Sequence, residues 1–186
     1  MLPAALICLV AGPIVAQVNP PASLEQMLME ASYLGKLELV KQLALKGAEI
    51  DAADPEERTS LMWAAFNGHT PVVEYLLDKG AAIEAKDSSG RSALMYASSG
   101  PYAETVGLLL SKGAEVNVQG ALEGFTALMT AAAEGQLEVV RILLEHGADP
   151  SLKDQDGDTA GSFAEENGHA AVVELLRNPP PIKSDS

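Results

Sequence analysis

Apolar residues between positions 24 and 178 recur in short bursts of helical spacing, and the bursts come in pairs. Leu61, Ala64 and Ala65 lie three and four positions apart, so a helix here has one apolar face. Past Gly68 the spacing returns in Val72, Val73, Leu76 and Leu77, and Gly80 follows as a helix stop. A Thr or Ser two residues before each first-burst leucine is placed to accept a bond from a free backbone N–H at the helix start. Ala81 to Gly90 has no helical period and contains Asp87-Ser88-Ser89-Gly90, which predicts a protruding loop or hairpin.

The paired pattern is periodic. Thr59-Ser-Leu-Met-Trp-Ala-Ala65, Ser92-Ala-Leu-Met-Tyr-Ala-Ser98 and Thr126-Ala-Leu-Met-Thr-Ala-Ala132 are 33 and then 34 residues apart. Weaker copies stand at Gln26-Met-Leu-Met-Glu-Ala-Ser32 and Thr159-Ala-Gly-Ser-Phe-Ala-Glu165. The second burst repeats in phase as Leu39-Val40, Val72-Val73, Thr105-Val106, Val139-Val140 and Val172-Val173. Four units close on Gly-Ala, at Gly47-Ala48, Gly80-Ala81, Gly113-Ala114 and Gly147-Ala148. One helix pair cannot bury both its faces, but a row of pairs shares a continuous dry interior. Five units are expected, at about 24–54, 55–87, 88–120, 121–154 and 155–178. The last has Gly161 where the others have leucine and ends at Asn178-Pro-Pro-Pro181, so residues 179–186 are expected to form a flexible tail.

These repeats resemble the ankyrin repeat. The fourth unit carries the pattern most fully, in Gly124, Thr126, Leu128, Ala131, Ala132, Gly135, Val139, Val140, Leu143, Leu144, Gly147 and Ala148. The resemblance implies an all-α ankyrin-repeat solenoid of five helix-turn-helix repeats with connecting loops or hairpins. It implies a protein-binding scaffold and identifies no particular ligand. Three departures stand out. Methionine replaces the family's usual histidine at Met62, Met95 and Met129. Pro101 stands where other units have glycine, so the second helix of the third unit is expected to start differently, with Pro101 near its first position. One extra residue between Gly113 and Thr126 predicts a bulged loop.

Charge narrows the partner. The formal net charge of −14 argues against nucleic acid and against anionic membrane surfaces, and favours one protein partner with a basic or neutral contact surface. The free chain is expected to be a monomer. Ahead of the repeats, residues 1–16 are apolar and uncharged and end in small residues, as in a secretory signal cleaved after Ala16. Residues 17–23, with Asn19-Pro20-Pro21, form a stiff linker. Cys8, the single cysteine, would leave with the signal, which suits an oxidising compartment. A periplasmic or secreted location is therefore expected.

Catalytic motifs are missing from the sequence. It has no Gly-x-Ser-x-Gly elbow, no glycine-rich phosphate loop and no His pair at metal-binding spacing. Asp154-Gln-Asp-Gly-Asp158 has its glycine at the wrong position for a calcium loop. No enzyme activity and no cofactor are expected. The alternative is haem or metal held by methionine and histidine, prompted by the common register of Met62, Met95 and Met129, but those are core positions. Trp63 and Tyr96 also read as core.

The resemblance further implies a concave face built from the loop tips and the first helices. Its variable contact positions map to Tyr33 and Leu34 in the first unit, and to Arg58, Phe66 and Asn67 in the second. They map to Ser89, Arg91 and Ser99 in the third, to Glu123, Phe125 and Glu134 in the fourth, and to Asp158, Glu166 and Asn167 in the fifth. Only 4% of the chain is aromatic, so Tyr33, Phe66 and Phe125 are singled out as anchor candidates.

Overall fold

The computed structural model describes residues 22–183, and these form ten helices in five antiparallel pairs. The pairs are α1 (Leu24–Tyr33) with α2 (Leu37–Leu45), α3 (Ser60–Phe66) with α4 (Thr70–Asp78), and α5 (Ala93–Ser98) with α6 (Ala103–Ser111). They continue with α7 (Ala127–Ala133) and α8 (Leu137–Glu145), and end with α9 (Ala160–Glu166) and α10 (Ala170–Arg177). The odd-numbered helices pack side by side in one row and the even-numbered helices in a second row behind it. This is the expected all-α solenoid. The expected signal lies outside the described residues, as does most of the linker.

The interior is made of repeated positions. Leu28, Leu61, Leu94 and Leu128 are buried in the first row, and Val40, Val73, Val106 and Val140 in the second. Leu43, Leu76, Leu109 and Leu143 lie one turn beyond the valines and are equally enclosed. Alanines at 31, 64, 97, 131 and 164 have at most 1% of their surface exposed, which lets the short first helices approach closely. The fifth repeat is looser: Gly161 offers nothing in the leucine position, and Val173 and Leu176 are only half-buried.

The methionines that replace histidine take part in helix starts. The Met62 N–H donates to Thr59 Oγ1 at 3.4 Å, and the Thr59 N–H donates to Met62 Sδ at 3.5 Å. Thr126 and Met129 repeat the exchange at 3.2 and 3.4 Å. The expected hydroxyl cap thus forms at Thr59, Thr126 and Thr159, whereas Ser92 makes no such bond.

Neighbouring repeats are also stitched through polar groups. The His69 Nε2 lies 3.0 Å from the Tyr33 carbonyl, and His169 Nε2 the same distance from the Ala133 carbonyl. In the third repeat this position is Tyr102. Its ring lies against Gly68, whose φ of +66° and lack of Cβ leave the room. The third unit corrects one expectation. α6 starts at Ala103, in phase with Thr70 of α4, because Tyr102 precedes it as His69 precedes α4; Pro101 lies outside the helix.

The connecting segments are tight, finger-like turns held by an aspartate. Asp54 Oδ1 accepts the N–H groups of Glu56 and Arg58 at 3.0 and 2.9 Å. Asp87 does the same for Ser89 and Arg91, and Asp154 for Asp156 and Asp158. The acidic run at 154–158 is thereby used as a turn. Adjacent fingers bond through Ser88 N–H to the Glu56 carbonyl, Ala121 N–H to Ser89 and Gln155 N–H to Glu123, at 2.9 to 3.0 Å. The third finger, between Gly113 and Thr126, lacks the aspartate and has the extra residue. Its Gly120 N–H reaches Phe125 instead of closing a four-residue turn, and the Gln119 side chain bonds the carbonyls of Gly124 and Lys153. The bulge presses so closely on the preceding finger that a Cβ at Gly90 would stand 2.2 Å from the Ala121 nitrogen.

Asp87 has a further load. Its Oδ2 accepts the Tyr96 hydroxyl at 2.8 Å and Arg91 Nε at 2.9 Å, while only 4% of the residue is exposed. Burial pushes the carboxyl up, but the Arg91 amide, the Tyr96 hydroxyl and the Arg91 guanidinium outweigh it and hold it below the ordinary 3.8. Burial and the bond to Asp87 push Tyr96 up to about 12. At the last described residue, the Lys183 N–H donates to the Glu145 carbonyl at 2.7 Å and its ammonium pairs with the Glu145 carboxylate.

Two stability predictions follow from this packing. Leu109→Ala should lower the unfolding free energy by about 2–5 kcal/mol, while Leu45→Ala, at a site 83% exposed, should change it by about 0.5 kcal/mol or less. Urea titration followed by circular dichroism measures both, and equal losses would contradict the layered core. Asp87→Asn should cost about 1–3 kcal/mol at neutral pH. Because the folded-state pKa is lowered, this stabilisation is complete above the unfolded-state value and is lost as pH falls through the folded one. Denaturant titrations should therefore show the gap between parent and variant closing below pH 3.8. A gap that stays constant down to pH 2 would remove the charge from the argument.

Candidate functional site

Helical spacing places a second stripe beside the buried one. Met29 and Tyr33 on α1 and Trp63 and Phe66 on α3 lie four and three residues apart, so each pair faces the same way, and the third repeat adds Ser99, which caps the end of α5, over the buried Met95 four residues before it. Successive first helices bring these stripes together into three hollows. The first is lined by Met29, Glu30, Tyr33, Trp63 and Phe66. Phe66, Arg91, Met95, Tyr96, Ser99 and Thr130 line the second. Arg91, Met95 and Thr130 continue into the third, which is closed by Ser89, Gly120, Leu122, Glu123 and Phe125. Shared walls make one groove across four repeats. Three helix-to-helix steps of about 9 Å each amount to about 27 Å, the span of roughly eight residues of extended chain.

Aromatic rings run along this groove edge to face. Tyr33 meets Trp63 with centroids 5.5 Å apart, Trp63 meets Phe66 at 6.4 Å, and Phe66 meets Tyr96 at 6.0 Å. Each pair is within 6° of perpendicular, the arrangement the ring quadrupole favours. On the finger side, the Arg58 guanidinium lies 4.5 Å above Trp63 and is held by Asp54 at 2.8 Å and Glu56 at 2.9 Å. For Asp54, burial again works upward, and the bonds and charge of Arg58 hold the carboxyl below its ordinary value. Arg91 repeats the device, 4.8 Å over Tyr96 and paired with Asp87 at 2.9 Å. Both arginines reach the groove with their charge already matched.

The positions mapped from the family pattern are divided by this geometry. Tyr33 and Phe66 meet in the first hollow; Phe66, Arg91 and Ser99 line the second; Ser89, Arg91, Glu123 and Phe125 line the third. Arg58 borders the groove through its stacking on Trp63. Leu34, Glu134, Asp158, Glu166 and Asn167 are exposed but line none of the three hollows. Asn67 donates its side-chain amide to the Tyr33 carbonyl at 2.8 Å, a bond between repeats. The Ser99 hydroxyl, at the end of α5, donates to the Tyr96 carbonyl. Phe125 is half-buried and packs on Phe163 at 5.1 Å, so part of its surface serves the stack.

Trp63 differs from its core expectation. It is half-buried and forms the centre of the first hollow, whereas Tyr96 is buried as expected, at 8% exposure. Met29, Met95, Thr130 and Leu122 also belong to the groove and were not among the mapped positions. For Leu122 a signal existed: it lies in the third finger, which has the extra residue, and is 63% exposed. Met62, Met95 and Met129 are enclosed in the core, and two of the three sulfurs already accept backbone N–H groups. Among the described residues, no group of three or more His, Cys, Asp or Glu side chains converges.

Comparisons with known proteins match these repeats. A family model described as "Ankyrin repeats (3 copies)" matches residues 28–120 and again 104–184. The mouse Ankyrin repeat family A protein 2 is 51% identical over 47 residues, 25% of this chain and 15% of that protein. The human Espin-like protein is 46% identical over 54 residues, 29% of this chain and 5% of that protein. The Drosophila E3 ubiquitin-protein ligase mind-bomb is 42% identical over 57 residues, 31% of this chain and 5% of that protein. The chain thus spans a small part of each relative's length, and the likeness lies in the repeats. Two helices and a finger per unit, one interior shared by five units, and a family match across almost all described residues lead to one conclusion: this chain belongs to the ankyrin-repeat family.

Proposed function

We propose that this chain is an exported binding protein that holds one partner protein along the groove of its first helices and fingers, without catalysing a reaction. Ankyrin repeats are protein-interaction modules and in general not enzymes, which supports the binding half of this reading. The observation that carries it is the continuity of the groove. Three partly exposed aromatic rings, Tyr33, Trp63 and Phe66, run along it and meet the buried Tyr96, and aromatic side chains dominate interface energies.

The net charge of −14 supports a basic or neutral partner, whose encounter it would speed. The uncharged apolar run at residues 1–16 supports export to a periplasm or the exterior. In such a compartment the role is that of an immunity or antidote protein blocking a toxic effector, or of an accessory to an envelope enzyme.

Tagged full-length protein, recovered from the envelope fraction of its source, should bring down one partner in stoichiometric amount. The double variant Tyr33→Ala, Phe66→Ala should weaken that binding by at least about tenfold, since two aromatic anchors at about 1–2 kcal/mol each are removed. Its thermal midpoint should fall by only a few degrees, because the rings are 43% and 38% exposed. Unchanged affinity in the variant, or recovery of the partner only in the cytosol, would count against the reading.

A further inference from the structure

We infer that the first hollow is a socket for one cationic side chain, an arginine or lysine on an extended segment of the partner. This rests on the reading of the groove as the partner-binding face and adds what that face selects.

The hollow, of about 360 Å³, presents three aromatic rings and one carboxylate. Tyr33 is 43% exposed and Phe66 38% exposed, so both rings keep open surface beside the half-buried Trp63. Glu30 lies on α1 three residues before Tyr33, hence on the same face one turn away. It is exposed and makes no ion pair among the described residues. Ring faces attract cations electrostatically, and a carboxylate beside them adds charge and direction.

The molecule uses the same attraction internally. Arg58 lies over Trp63, Arg91 over Tyr96 at 4.8 Å, and Lys79 over Tyr75 at 5.5 Å. No lysine or arginine lines the first hollow itself, and Arg58 beside it is already neutralised by Asp54 and Glu56. An apolar side chain would also fit the rings, but it would cover Glu30 and leave a desolvated charge without a partner. An acidic side chain would be repelled. The charge of the whole chain, −14, points the same way. Glu30 thus converts a greasy hollow into one that discriminates by charge.

The single tryptophan of the chain sits in the socket and reports on its occupancy. Full-length protein is immobilised and used to select from a random nine-residue peptide library displayed on phage, and selected peptides are titrated in solution against Trp63 fluorescence. The expected peptides share one arginine or lysine position. Replacing that residue with norleucine should weaken binding about fivefold or more. Glu30→Gln should weaken the cationic peptides and leave the norleucine peptides unchanged, so that the two now bind with similar strength. Glu104→Gln removes an equal charge from an exposed position on α6, outside the groove, and should preserve the full difference. Urea titration of both variants checks that the fold is intact. Groove-binding peptides that lack a basic residue, or an equal loss for both peptide types in Glu30→Gln, would overturn the socket and leave the groove standing. If no selected peptide perturbs Trp63, or none is selected, groove and socket fall together.

Discussion

The structure depends on apolar contact between neighbouring repeats. No helix pair here is thick enough to bury Leu61, Val73 and Leu76 by itself; each is enclosed because another repeat lies on either side. A fully buried leucine or valine contributes about 1.5–3 kcal/mol, and the same three positions recur along the stack. The cost of this arrangement falls at the ends. In the last repeat Gly161 supplies no leucine, and Val173 and Leu176 remain half-buried. The bond and ion pair from Lys183 to Glu145 hold Lys183 against the fourth repeat, beside this looser one.

Polar groups set the register that the apolar contacts leave free. His69, Tyr102 and His169 each occupy the same turn and lie against the glycine, or the carbonyl, of the preceding repeat. Asp54, Asp87 and Asp154 close the fingers by accepting backbone N–H groups, and the fingers then bond to one another. A methionine takes over the position where the family pattern has histidine, and its sulfur returns to the backbone of the capping threonine.

The groove is a consequence of the same packing. First helices of six to ten residues bury one stripe and leave the adjacent stripe facing outward, together with the fingers. Here that outward stripe carries aromatic rings, Met29 and few charges, on a chain that is otherwise strongly acidic. Arginines that approach it are neutralised by their own fingers. The result is an apolar track with carboxylates at its two ends, Glu30 and Glu123, a surface suited to an extended segment bearing basic side chains.

Much of this was legible along the chain. The 33-residue period, the two helices per unit, the buried leucines and valines and the glycine at Gly68 are local or periodic properties, and each repeat restates them. Tyr33, Phe66, Arg91 and Phe125 were surface candidates because the resemblance to ankyrin repeats maps its variable contact positions onto them. What periodicity could not supply was the relation between units whose side chains differ. Trp63 sits between buried residues in sequence yet faces the groove in part, because its large ring overreaches the thin helix layer and meets Tyr33 of the repeat before. Pro101 suggested a shifted helix, but Tyr102 takes the histidine position against Gly68 and restores the phase. Leu122 became part of a wall only when the bulged finger leaned on Gly90. The sequence by itself determined which helices and turns each unit contains, since those follow from residues a few positions apart. Only the tertiary structure decided which side chains share a hollow, since that depends on residues some 33 positions apart meeting across an interface.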